Sequence, residues 1–228
     1  MNATVAEVMT PEVVSVPETA GFRQMVDLIE THRVSALPVV DGAGRVVGVV
    51  SEADLMLKED QPGVAERPRF GGRGNRIERA KAQGRTAQNL MTSPAVVVGP
   101  YASVRHAARL MHEKGVKRLP VVGDAGQLMG IVSRSDVLKV FQRDDEQIER
   151  EISDYVIQGL MMIDGGRITV QVSDGVVSLS GAVERLSDAR IMPRLCGTVD
   201  GVVAVESRIE YRYDDERSRE RPGVWTAP

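Results

Sequence analysis

The sequence predicts an α/β (α+β) protein in which a pseudo-twofold pair of β-α-β-β-α units precedes a small α-β-β-α-β domain. An internal repeat predicts the pair, because LPVVDGAGRVVGVVSEADL at 37–55 returns 82 residues later as LPVVGDAGQLMGIVSRSDV at 119–137. Repetition on this scale indicates units that bury apolar faces against each other. The pattern changes after residue 143, which predicts a separate C-terminal domain.

Each repeat is expected to contain a short strand, a helix, two strands and a second helix. Ser103 is predicted to cap the first helix of the second repeat, and Gly115 suits the exit from that helix. The two later strands are predicted at 37–40 and 46–50 in the first repeat and at 119–122 and 128–132 in the second. A sheet this small cannot bury both of its faces alone, so the two repeats are expected to pair.

The predicted domain boundaries follow the changes in composition. They are 1–60 for the first repeat, 61–86 for a linker, 87–143 for the second repeat, 144–213 for the C-terminal domain and 214–228 for a disordered tail. The linker is rich in Gly, Pro and Arg, with seven basic residues against one acidic residue between positions 67 and 85. A solvated linker and a phosphate or RNA contact both fit. We favour the linker, because Phe70 is its only aromatic residue.

The C-terminal domain shows alternating apolar residues around Asp174-Gly175, a dipeptide typical of a tight hairpin turn. A helix is predicted at 184–196, where Pro193 should kink the helix or mark a boundary, and a last strand is predicted at 202–211.

Composition excludes several classes of protein. Apolar residues make up 42% of the chain and the net charge is −3, so no global charge excess favours nucleic acid. We find no apolar run long enough for a membrane span and no export signal, so a cytoplasmic location is expected. The single Cys196 cannot form an internal disulfide and is expected to be packed, while His106 and His112 are interpreted as surface residues. No catalytic or metal-ligand arrangement is visible, which predicts neither an enzyme nor a bound metal or catalytic cofactor.

The strongest candidate for a site occurs twice, where an apolar strand ends at a serine and an aspartate follows three residues later. The two pairs are Ser51 with Asp54 and Ser133 with Asp136. One interpretation is a capping box, in which side chains satisfy the free backbone donors of a helix start. The other is a ligand site, in which the helix start and serine bind phosphate and the carboxylate accepts from ribose hydroxyls. Its presence in both repeats favours the ligand.

Residues 9–57 and 91–140 resemble the two CBS motifs of a Bateman module through three features in order. These are Met-Thr followed by Pro, the Leu-Pro-Val-Val strand and the Gly-x-x-Ser-x-x-Asp end. The resemblance implies binding of AMP, ADP, ATP or S-adenosylmethionine between the repeats, and a homodimer. It implies that Asp54 and Asp136 hold ribose and that Ser51 and Ser133 lie near the ribose-phosphate. The implied phosphate contacts are His32, Arg33, Lys117 and Arg118. The first repeat has Ser35 and Ala36 where the second has Lys117 and Arg118, so the two clefts are expected to differ in nucleotide occupancy.

The C-terminal domain resembles a BON domain through VSDGVVSLSG at 172–181 and VDGVVAV at 199–205. The resemblance implies phospholipid contact, but fifteen acidic against ten basic residues from Glu146 onward disfavour anionic lipid and nucleic acid. A partner protein is therefore expected. The resulting hypothesis is a non-catalytic energy or stress sensor that relays nucleotide binding through this domain. The alternative is a ligand-free adaptor with a dimerising CBS scaffold and a C-terminal domain that docks on membrane lipid or a protein.

Overall fold

The computed structural model describes residues 3–56 and 85–216. They form two compact units, one from Thr4 to Val137 and the other from Ala3 together with 138–216. Most of the predicted linker and the predicted tail beyond Glu216 lie outside the described residues.

The first unit contains both repeats and is the predicted mixture of helices and strands, but the order differs in two ways. Each repeat begins with a helix that was not predicted, and the predicted first strand of the second repeat is only an isolated bridge between Val98 and Val121. The elements of the first repeat are α1 (Val5–Val8), β1 (Val16–Pro17), α2 (Phe22–His32), β2 (Ala36–Val40), β3 (Val46–Ser51) and α3 (Glu52–Met56). Those of the second repeat are α4 (Ala87–Leu90), α5 (Val104–Glu113), β4 (Arg118–Val122), β5 (Leu128–Ser133) and α6 (Arg134–Leu138). In both repeats the two longer strands pair antiparallel. The predicted cap of α5 is confirmed, because Ser103 Oγ accepts a hydrogen bond from the His106 amide at 3.2 Å.

The two repeats exchange their first helices. Val5 of α1 is fully buried in the core of the second repeat. Ala87 and Leu90 of α4 are fully buried in the core of the first repeat. Each apolar core is therefore completed by a segment of the other repeat, which is the physical basis of the expected pairing.

Each exchanged helix is followed by a Met-Thr dipeptide, and backbone hydrogen bonds of the two threonines also join the repeats. The amides of Thr10 and Ile131 each donate to the other's carbonyl at 2.9 Å, and Thr92 pairs in the same way with Val49 at 2.9 and 3.1 Å. Two glycines leave room for the methionine that precedes each threonine. A Cβ built on Gly130 would lie 2.5 Å from Met9 Sδ, and one built on Gly48 would lie 2.4 Å from Met91 Sδ.

The second unit has the predicted α-β-β-α-β order. Its elements are α7 (Asp145–Glu151, continued in π-type turns over Ile152–Leu160), β6 (Ile168–Ser173), β7 (Val176–Arg185), α8 (Leu186–Cys196) and β8 (Ala204–Tyr213). Strand β7 lies in the middle of the sheet, antiparallel to β6 and parallel to β8. The predicted hairpin turn is confirmed, since Asp174 and Gly175 have φ of 51° and 72°.

Two details of this unit differ from the sequence expectations. Helix α8 continues through Pro193 to Cys196, so Pro193 marks no boundary. Only one helical turn follows the proline. The residue before the proline, Met192, and the last residue of that turn, Cys196, are both fully buried in the core. Three residues of the predicted tail, 214–216, are described, and Asp215 accepts from the Ser187 amide and hydroxyl at 3.0 and 2.6 Å. As expected, Cys196 is packed, and burial raises its pKa to about 11.

The exchange predicts that Gly130→Ala destabilises the fold. The added methyl group would collide with Met9 and lie 3.1 Å from the Thr10 carbonyl oxygen, which belongs to backbone and cannot rotate away. We expect a loss of about 1–3 kcal/mol in the free energy of unfolding, measured by urea denaturation.

Gly42→Ala is the matched control, because a Cβ at Gly42 meets no atom within 4 Å. We expect that control to change stability by less than about 0.5 kcal/mol. Equal stability of Gly130→Ala and Gly42→Ala would contradict the described packing of Met9.

Candidate functional site

A cleft of about 470 Å³ lies between the two repeats, which is within the size range of small-molecule sites. The first repeat contributes the last turn of α2, the residues after it and the first residue of α3. The second repeat contributes the first residue of β4. The lining residues are Ile29, Glu30, Arg33, Val34, Ser35, Glu52 and Arg118.

Arg118 connects the repeats inside this cleft. Its guanidinium donates a hydrogen bond to the Ser35 hydroxyl of the first repeat. Burial lowers the pKa of Arg118, while the carboxylates of Glu52 and Asp136 oppose that effect. Because arginine stays protonated in proteins, this is a half-buried cation. Its electrostatic partners belong to both repeats.

Arg33 lines the cleft from a strained backbone conformation. It ends α2 with φ of 52° and ψ of 41°, in the left-handed region. The equivalent position of the second repeat is Gly115, with φ of 66°. Glycine adopts this conformation without the steric cost that a Cβ brings. Arg33 therefore has a conformational cost that Gly115 does not have.

Both predicted serine-aspartate pairs form capping boxes. In the first repeat, Asp54 Oδ2 accepts from the Ser51 amide at 2.9 Å and from its hydroxyl at 2.7 Å. In the second, Asp136 Oδ2 accepts from the Ser133 amide at 2.9 Å and from its hydroxyl at 2.6 Å. Asp54 is half-buried, whereas Asp136 is only 8% exposed. Each aspartate therefore has a structural role, and a ligand contact would be additional.

The structure brings two of the eight predicted ligand-binding residues into the lining of this cleft, namely Arg33 and Arg118. Asp136 acts electrostatically on one of these two residues, Arg118. His32 and Lys117 are exposed, and Ser51, Asp54 and Ser133 stay in their capping boxes.

The sequence analysis missed Glu30 and Glu52 as lining residues. A difference between the repeats could have indicated them, because the second repeat has His112 and Arg134 at the positions of Glu30 and Glu52.

Metal-ligand clusters and long apolar helices are absent from the described part of the chain. Within 3–56 and 85–216, no cluster of His, Cys, Asp or Glu could hold a metal ion. No helix in the same ranges has the length and apolar character needed to cross a bilayer.

Comparison with known families identifies the architecture. The CBS domain matches residues 5–59 and 87–143, and the BON domain matches 144–213. The chain belongs to the CBS domain family, with two CBS domains followed by a BON domain, which confirms both resemblances.

Individual relatives match the CBS part. CBS domain-containing protein CBSX2, chloroplastic, of Arabidopsis thaliana is 31% identical over 160 residues, which cover 65% of this chain and 66% of that protein. An uncharacterized protein of Methanopyrus kandleri is 26% identical over 144 residues, which cover 61% of this chain and 63% of that protein. The chain thus spans less than two thirds of the length of these relatives. A crystal structure of CBSX2 in complex with AMP superimposes with a TM-score of 0.53 at 31% identity, covering 60% of this chain and 94% of that one.

The capping geometry predicts an order of stability among three aspartate variants. Asp136→Ala removes a buried acceptor for the half-buried amide and hydroxyl of Ser133, so we expect a loss of about 0.5–2 kcal/mol in the free energy of unfolding. Asp54→Ala should cost less because Asp54 is more exposed. Asp27→Ala, on the exposed face of α2, is the control. Thermal denaturation checks the order, and an Asp136→Ala variant as stable as the control would contradict it.

Proposed function

We propose that the CBS pair is a regulatory, non-catalytic module that binds an adenine nucleotide in the cleft between its repeats. One observation carries the proposal. Arg118 of the second repeat reaches Ser35 of the first inside a cleft that also holds Arg33. A site with two guanidiniums and contributions from both repeats suits a phosphorylated ligand, because guanidinium forms strong charge-assisted hydrogen bonds with phosphate.

The CBSX2 structure with AMP supports the choice of ligand, since its sequence is 31% identical and this chain covers 94% of it. In our proposal, Arg33 and Arg118 bind the phosphate. Ser51, Asp54, Ser133 and Asp136 form the candidate ribose-contacting ends of the strands, with His32 and Lys117 at the periphery.

A ligand in this cleft could act on the arrangement of the repeats. It would contact both repeats at once, so it would stabilise the arrangement in which the two sides fit it best. Only such differential affinity can shift a conformational equilibrium. The BON domain would pass the shift to a protein partner, and the CBS pair would form a homodimer. The acidic balance of the C-terminal domain favours a protein over anionic lipid in this proposal. The cytoplasmic location expected above stays a prediction.

A ligand-free adaptor is the second candidate, and the exchanged helices favour it. Val5 and Leu90 complete the two cores with apolar residues of the chain itself, so apolar packing accounts for the pairing of the repeats. Native mass spectrometry of the purified full chain separates the two functions. Co-purified adenine nucleotide supports the regulatory module. A ligand-free chain that also fails to bind added AMP supports the adaptor.

Arg118→Ala provides the direct test of the nucleotide site. Loss of a charge-assisted hydrogen bond should weaken AMP binding about tenfold to a hundredfold, as measured by isothermal titration calorimetry on the full chain. The matched control is Arg109→Ala, which removes an exposed arginine of α5 outside the cleft lining. Equal AMP affinity in the two variants would exclude this cleft as the phosphate site.

Arg33→Gly separates function from stability. Glycine suits the left-handed backbone, so the free energy of unfolding should stay unchanged or rise by up to about 1 kcal/mol. AMP affinity should fall, because one guanidinium leaves the cleft. Calorimetry and thermal denaturation measure the two effects. A variant with lower stability and unchanged AMP affinity would show that Arg33 has a structural role alone.

A further inference from the structure

The cleft contains as many carboxylates as guanidiniums. Glu30 and Glu52 line it together with Arg33 and Arg118. Both glutamates are exposed and line the space that a ligand would enter. The formal charge of the lining is therefore zero, although two arginines are present.

Glu52 already balances part of the charge of Arg118. Its carboxylate is the largest of the electrostatic influences that favour the charged form of that guanidinium, followed by Asp136. A phosphate that approaches Arg118 also approaches Glu52, so attraction and repulsion act together. Each further phosphate adds negative charge without any further cation in the described lining of the cleft.

The equivalent positions of the other repeat have the opposite character. His112 and Arg134 replace Glu30 and Glu52, and Lys117 replaces Ser35. The Arg134 guanidinium donates to the Val116 carbonyl at 3.2 Å. The two acidic residues thus belong to one side of the pseudo-twofold module.

We propose that Glu30 and Glu52 determine specificity in this cleft by selecting a nucleoside monophosphate over the corresponding triphosphate. The inference rests on the proposed function, because it concerns the ligand of the same cleft. At about 7 Å, repulsion between two unit charges weakens binding about threefold in water and more strongly where water is displaced. A triphosphate has about two more negative charges than a monophosphate, so each glutamate should disfavour the triphosphate relative to the monophosphate by up to about tenfold.

The test compares the dissociation constants of AMP and ATP for the full chain, without divalent cations and at low salt. The constants are taken for the site that Arg118→Ala weakens, so a second site does not enter the ratio. We expect AMP to bind more tightly than ATP. Glu52→Gln should lower the ratio of the ATP constant to the AMP constant about threefold to tenfold, and Glu30→Gln should lower it in the same direction. Both effects should shrink as salt rises.

Asp27→Asn is the matched control, because it removes a carboxylate from the exposed face of the same helix that carries Glu30. Its ratio should change less than that of Glu30→Gln, because Asp27 does not line the cleft. If both nucleotides bind and Glu52→Gln leaves the ratio unchanged, the specificity assignment is overturned while the proposed function stands. If neither nucleotide binds the unmodified chain, the proposed function fails and the assignment fails with it.

Discussion

The exchange of the first helices between the repeats is the constraint on which the CBS pair depends. Val5 fills the core of the second repeat, and Leu90 fills the core of the first. Met9 and Met91 then lie over two glycines, Gly130 and Gly48, that have no Cβ to obstruct them. Separation of the repeats would open both cores at once, so apolar burial holds the pair together. Two residue types of the repeated motif, the methionine and the glycine, are explained by this packing rather than by ligand chemistry.

The cleft is a consequence of that pairing. Once the repeats are held together, the start of β4 lies against the end of α2, and Arg118 can donate to Ser35. The capping boxes at Asp54 and Asp136 fix the ends of the two strands and the first turns that follow. Arg33 has a left-handed backbone that its counterpart Gly115 adopts at no cost. The cleft thus contains one arginine on a strained backbone, Arg33, and one half-buried arginine, Arg118.

Sequence reasoning predicted the local features and the pairing of the repeats, but not which segments the repeats exchange. The cap at Ser103 and the turn at Asp174-Gly175 depend on neighbouring residues, so their patterns predict them. The helix exchange joins segments about 40 to 120 positions apart, and two similar motifs do not reveal which copy pairs with which. For the same reason Arg118 could be recognised as a basic candidate, but its contact with Ser35 of the other repeat could not be foreseen. Glu52 has no motif signal of its own, because it stands between the serine and the aspartate of the capping box and neither capping position requires it.

A crystal structure of the full chain grown with AMP tests the central claim most directly. The account predicts electron density for the nucleotide in the cleft between α2, α3 and β4, with the phosphate within hydrogen-bond distance of the Arg33 and Arg118 guanidiniums. It also predicts that the exchanged helices keep their places, because the ligand is not what holds the repeats together. Density for AMP only outside this cleft, or a phosphate remote from both arginines, would contradict the account.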